Sequence, residues 1–110
     1  MSELREYVGP DGVSTFGRWF NVLDGVAAAK IAIVLARLGE GNTSHLKGVG
    51  GGVAELRVHF GPGYRIYLGV DSPELMILLR GGDKKTQSSD IRRAQRDWRT
   101  YKLMKKQAPE

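Results

Sequence analysis

The chain reads as a single α+β domain: a helical hairpin and a C-terminal helix packed on a twisted, mainly antiparallel sheet of about four strands. Two runs with period-two alternation, 53–60 and 64–70, flank a Gly-Pro-Gly connection and predict a β-hairpin. Upstream, two segments with helical spacing each follow a capping residue, and downstream an apolar strand leads into a basic helix. Strands and helices are grouped rather than alternating as βαβ units, and 110 residues suit one compact core over 1–110, with 106–110 expected to fray.

Taken in order, Glu3 to Val8 is a short strand in which Leu4, Glu6 and Val8 oppose Arg5 and Tyr7, and Gly9-Pro10-Asp11-Gly12 is a turn. Ser14 or Thr15 caps a helix whose Phe16, Trp19, Phe20 and Leu23 recur at i, i+3, i+4 and i+7, a stripe that faces a core. Asp24 caps a second helix, Val26 to Leu38, in which only Lys30 and Arg37 are charged; Gly39 and Gly41 end it. Joined by about two residues, these helices form a hairpin across one face of the sheet.

Residues 42–52 hold four glycines and no periodicity, so they predict a loop carrying His45 and Lys47. Their spacing lacks the Gly-x-x-x-x-Gly-Lys-Ser/Thr pattern of a phosphate cradle. Glu74 to Arg80 is apolar on both faces, the mark of a central strand covered from two sides. Arg80 stands where that strand leaves the core, and the loop from Gly81 to Ser89 brings out Asp83, Lys84 and Lys85 near it. Ser88 or Ser89 caps the last helix, which turns Ile91, Ala94, Trp98 and Tyr101 inward. Arg92, Arg93, Arg96, Arg99, Lys102, Lys105 and Lys106 crowd its other surface, either as a solvated face or as one that binds RNA or a partner.

Chemistry concentrates on the hairpin. Ala54, Leu56, Val58 and Phe60 take one face and Glu55, Arg57 and His59 the other; Tyr64, Ile66 and Leu68 oppose Arg65 and Tyr67. A three-residue turn places Phe60 opposite Tyr64, His59 opposite Arg65 and Arg57 opposite Tyr67. Two guanidinium groups beside an imidazole and a phenol suit a phosphodiester, since arginines grip phosphate oxygens bidentately and oppose the charge that builds during cleavage. RNA carries its own nucleophile, the 2′-hydroxyl, so a base, an acid and cations suffice. His59 is the base or the acid; Tyr67 is a weaker acid-base group or a platform for a nucleobase. The same alternation is also what any half-buried antiparallel sheet shows.

Composition narrows the partners. Lys and Arg total 17 against 12 Asp and Glu, a formal charge of +5 and a pI near 9.7, which favours polyanions such as nucleic acid or an acidic protein. The absence of cysteine excludes disulfides and thiolate metal sites, and two histidines, His45 and His59, are too few for a structural zinc site, so neither metal nor cofactor is expected. The N-terminal residues lack the apolar stretch of a signal peptide, and the longest apolar run, 26–36, is interrupted by Lys30; a cytoplasmic protein with no membrane role is the expectation.

The motifs Gly41-Asn42, Leu46-Lys47-Gly48-Val49-Gly50, Val53 to Val58, Gly61-Pro62-Gly63-Tyr64-Arg65-Ile66-Tyr67, Leu78-Leu79-x-Gly81-Gly82-Asp83-Lys84-Lys85-Thr86-Gln87 and Asp90-Ile91-x-x-Ala94 resemble the RelE/ParE toxin superfamily of bacterial toxin–antitoxin modules. Within it the chain is most similar to the addiction-module killer proteins, the HigB-like or phage Gp49-like branch, over about Phe16 to Trp98. The resemblance implies a RelE-like fold and a metal-independent endoribonuclease that cuts mRNA on the ribosome. It also implies a cognate antitoxin, commonly a helix-turn-helix protein, and a toxin–antitoxin hetero-oligomer. The family's phosphate-contacting arginine matches Arg65, and an arginine on the preceding strand matches Arg57. Lys47, Lys84 and Lys85 lie in loops where relatives place RNA contacts, with His45, Arg80, Arg92 and Arg93 as further RNA-binding candidates.

Two departures stand out: Glu55 occupies the place of a lysine in well-known RelE members, and no tyrosine stands near Ile91 in the last helix. Acid-base roles therefore fall to His59, with His45 as second choice. The alternatives are a ParE-like gyrase poison that does not cut RNA, and an inactive member that only binds its antitoxin.

Overall fold

The computed structural model describes residues 1–108. Strand β1 (Glu3–Glu6) leads through the Gly9–Gly12 turn to helix α1 (Thr15–Asn21), where the Ser14 side chain accepts from the Gly17 amide at 2.9 Å and donates to Glu6 Oε1. Helix α2 (Gly25–Gly39) starts on Asp24, whose Oδ1 accepts from the Ala27 amide at 2.9 Å, and chain reversal beyond it uses Gly41 at φ +104°. Then follow β2 (Lys47–Gly48), β3 (Val53–Val58), β4 (Tyr64–Ser72), β5 (Leu75–Gly82), a 3₁₀ turn (Lys84–Thr86) and helix α3 (Gln87–Gln107).

Among the described residues the sheet has five strands in the order β1-β5-β4-β3-β2. The β2–β3, β3–β4 and β4–β5 pairs are antiparallel, while β1 pairs in parallel with β5 from Glu3↔Leu75 to Glu6↔Leu78, so the sheet is mixed. The helical hairpin lies on one face, where Phe16, Ile31 and Leu38 meet Leu56, Val58, Ile66, Leu68, Met76 and Leu78. Helix α3 covers the other, where Ala94 and Trp98 meet Tyr7, Val53, Tyr67, Ile77 and Leu79. β5 feeds alternate residues to both cores, which is why its sequence is apolar without alternation. Each core seats one tryptophan over a glycine: Trp19 over Gly81 and Trp98 over Gly69, and a Cβ at either glycine would run into the ring.

Four expectations are corrected. The sheet gains β2, a two-residue strand inside the predicted 42–52 loop, because Lys47 and Gly48 pair with Glu55 and Ala54. β5 does not end at Arg80: Gly81 and Gly82 continue it against Ile66 and Arg65, since bare backbone is what fits beneath Trp19 and beside the Asp90 carboxylate. Neither Ser88 nor Ser89 caps α3; Asp83 Oδ1 accepts from the Lys85 and Thr86 amides, and the 3₁₀ turn runs directly into α3. Finally, α3 stays helical to Gln107, so the expected fraying is not seen at Lys106 and Gln107, while Pro109 and Glu110 lie outside the described residues.

Candidate functional site

The hairpin turn decides which side chains meet. Phe60 O accepts from the Gly63 amide at 3.1 Å, with Gly61 at φ +57° and Pro62 between them, and Gly63 is at φ +78°. Phe60 is thereby drawn out of the strand, and the connection spans five residues, His59 to Gly63, instead of three. The register is shifted by two relative to the sequence-based expectation: Val58 faces Tyr64, Arg57 faces Arg65 and Glu55 faces Tyr67. A shift of two preserves the faces, so Arg57, Arg65 and Tyr67 do share one side, but Arg57 does not face Tyr67 and His59 faces no strand residue.

Val53 O accepts from the Val49 amide, which turns the backbone groups of the odd residues of β3 toward β2 and away from β4. Arg57 and Arg65 therefore form a non-hydrogen-bonded pair, the kind in which side chains approach most closely. Two like charges are held together here by a third group. Glu55, 1% exposed, accepts at Oε1 from Arg57 Nε at 3.0 Å and at Oε2 from Gln87 Nε2 at 2.8 Å, with Arg65 Nε 3.9 Å away. Burial works against its ionisation, but hydrogen bonds from Gln87 and Arg57 outweigh that and hold the carboxyl below the usual glutamate range.

β2 begins at Lys47, opposite Glu55, so the outer edge of β3 is open from Leu56 onward. A groove of about 410 Å³ runs along that edge between the C-terminal turn of α2 and the 42–47 loop, lined by Arg37, Asn42, His45, Lys47, Arg57 and His59 above Val34, Leu38, Leu56 and Val58. Five of those six polar liners are basic residues, and the groove's carboxylate, Glu55, is already engaged. The groove brings His45, Lys47, Arg57 and His59 together, and it adds Arg37 and Asn42, which sequence reasoning did not single out as site residues. Arg37 had a faint signal as a cation in the last turn of a helix, and Asn42 as half of the Gly41-Asn42 motif.

The other candidates are distributed differently. Arg65 is tucked behind Arg57 with its side chain 8% exposed; Nη1 donates to Gly63 O at 2.7 Å and Nε is sealed without a partner, which leaves Nη2 for a ligand. Lys84 packs its Cβ toward the same Gly63, and Lys85 is exposed beside it on the 3₁₀ turn. Tyr67 is 0% exposed: its hydroxyl lies near the Glu55 carboxylate without closing a hydrogen bond, and burial pushes the phenol far above its ordinary pKa, so it is a core residue rather than an acid or a base platform. Arg80 is likewise turned inward, against the expectation that it faces solvent and RNA. Its side chain is 11% exposed, with Nε 3.9 Å from Asp90 Oδ1, and it ties the end of β5 to the start of α3. Arg92 and Arg93 are exposed on α3. No group of three or more metal-ligating side chains, and no helix long and apolar enough to cross a membrane, occurs among the described residues.

Residues 18–106 match the profile of the family described as Phage derived protein Gp49-like (DUF891). The chain belongs to this family. Gp49-like proteins are part of the RelE/HigB-like toxin superfamily of addiction modules, and membership implies a cognate antitoxin. An uncharacterized protein of Haemophilus influenzae strain Rd is 46% identical over 81 residues, which are 73% of this chain and 82% of the relative. No solved structure matches the chain. In this Gp49-like chain the matched span contains every groove residue, from Val34 to His59, and also the Gln87 that anchors Glu55.

Proposed function

We propose that this Gp49-like chain is a toxin that acts as a metal-independent endoribonuclease on mRNA in the ribosome, and that its groove is where the RNA lies. The in-register pair Arg57↔Arg65 at the mouth of a cationic groove carries this reading. Arg57 presents its terminal nitrogens to the scissile phosphate and Arg65 adds Nη2 from behind, so the pair opposes the negative charge that develops on the non-bridging oxygens. Deprotonation of the 2′-hydroxyl lets its oxygen attack phosphorus; the bond to the 5′-oxygen breaks, that oxygen takes a proton, and a 2′,3′-cyclic phosphate remains. His59 and His45, both lining the groove, are the proton carriers, with His59 two residues beyond Arg57, just past the end of β3. Lys47, Lys84 and Lys85 hold flanking phosphates, and Arg92 and Arg93 contact polyanion outside the groove.

A ribosomal target places the toxin in the cytoplasm, and the antitoxin, a helix-turn-helix protein on this reading, binds it in a hetero-oligomer. The test is brief induction in a bacterial host followed by mapping of transcript ends. Arg57→Ala, at a side chain 43% exposed, should abolish growth arrest and lower cleavage by about 10²-fold or more while the melting temperature stays within a few degrees. Intact transcripts with DNA damage would instead indicate a gyrase poison, and the absence of any arrest an inactive module member.

A further inference from the structure

We infer that Glu55, held by Gln87, is the positioning residue that aims the Arg57 guanidinium into the groove. The inference rests on Arg57 being a phosphate ligand. A guanidinium presents two edges with paired donors, one formed by Nη1 and Nη2 and one that includes Nε. Glu55 Oε1 occupies Nε at 3.0 Å, so the edge left for a ligand is the terminal one, and rotation about the end of the side chain is stopped. The carboxylate is itself fixed: its residue lies inside the sheet, in register between Lys47 on β2 and Tyr67 on β4, and Gln87 Nε2 holds Oε2 at 2.8 Å. Gln87 is the first residue of α3, and Asp83, which accepts from the Lys85 and Thr86 amides, sets where that helix begins. The Gly81-Gly82-Asp83-Lys84-Lys85-Thr86-Gln87 motif thus reaches the groove through one amide.

Electrostatics points the same way. Without a carboxylate between them, Arg57 and Arg65 would repel across a close strand pair, and the more exposed Arg57 would swing to solvent. With it, both cations stay near one phosphate-sized target. A glutamate at the place of the lysine in well-known RelE members is therefore a support for the arginine rather than a lost cation.

The experiment compares wild type, Glu55→Gln, Gln87→Ala and Arg57→Lys in cleavage of a short mRNA on programmed ribosomes, alongside the Arg57 Nε–H resonance, assigned by its loss in Arg57→Lys. Glu55→Gln should lower kcat about 10²-fold with KM within about threefold, because misaimed donors cost the transition state more than the encounter. The Arg57 Nε–H signal, sharp in wild type, should broaden by exchange with water in the same variant. Gln87→Ala, which keeps the Glu55–Arg57 contact, should reduce kcat by a smaller factor and decides the matter if Glu55→Gln does not fold. Wild-type kcat in Gln87→Ala and Glu55→Gln, or an unchanged Nε–H signal in Glu55→Gln, overturns the proposal. Should wild type leave the RNA uncut, the nuclease reading fails, and the Nε–H signal alone still decides whether Glu55 holds Arg57.

Discussion

Tyr67 and Glu55 sit side by side on neighbouring strands and carry opposite lessons about buried polarity. The Tyr67 hydroxyl is sealed in the core with no hydrogen-bond partner, and such a group costs about 1 kcal/mol or more. Tyr67→Phe should therefore raise the unfolding free energy by about 1 kcal/mol in urea titrations and leave RNA cleavage intact. Glu55 is satisfied by Arg57 and Gln87 and its pKa is depressed below the reference 4.5, so protonation favours the unfolded chain. Its stabilising contribution is complete above the unfolded pKa of about 4.5 and is lost as pH falls through the lower folded value. Denaturation curves collected from neutral pH to about pH 3 should show stability dropping below pH 4.5, with a shallower drop in Glu55→Gln. Asp71, which accepts from Lys105 and from Tyr101, is also depressed, and it accounts for part of the drop that remains in that variant.

Elements whose signals are local were legible in the chain. Ser14 and Asp24 cap α1 and α2 as their positions suggested, and the Ile91, Ala94, Trp98 and Tyr101 stripe faces the core. What escaped were features set by packing. β2 is too short to show a period and exists because β3 offers it an edge; the strand character of Gly81 and Gly82 comes from the ring and carboxylate lying against them. The site was half legible for the same reason: alternation fixed which face Arg57 and Arg65 share, whereas their register depended on the φ of Gly61, which only the folded turn reveals. Depth was the hidden variable for Tyr67 and Arg80, because alternation does not say that α3 closes over that face. Gly81→Ala should lower the unfolding free energy by about 2 kcal/mol, as Trp19 must leave its seat, and quenching of Trp19 fluorescence should report the move.

At the scale of the whole molecule, the +5 charge is unevenly placed: the groove edge and the outer face of α3 gather cations, while Glu55, Asp90 and Asp97 are buried. Affinity for ribosomes should therefore fall steeply with salt, and replacing Arg92 and Arg93 by glutamine should flatten the log–log slope by about 1 to 2 without changing where the transcript is cut.

The parallel pairing of β1 with β5 has a temporal side. Ser2 Oγ donates to Pro73 O across 71 positions of sequence, and the first strand finds its neighbour only in residues 75–78. While the chain is being made, β1 must wait without its sheet partner until residues 75–78 have left the exit tunnel, and long loop closure of this kind is slow. A chain wired this way completes its scaffold late in its own synthesis.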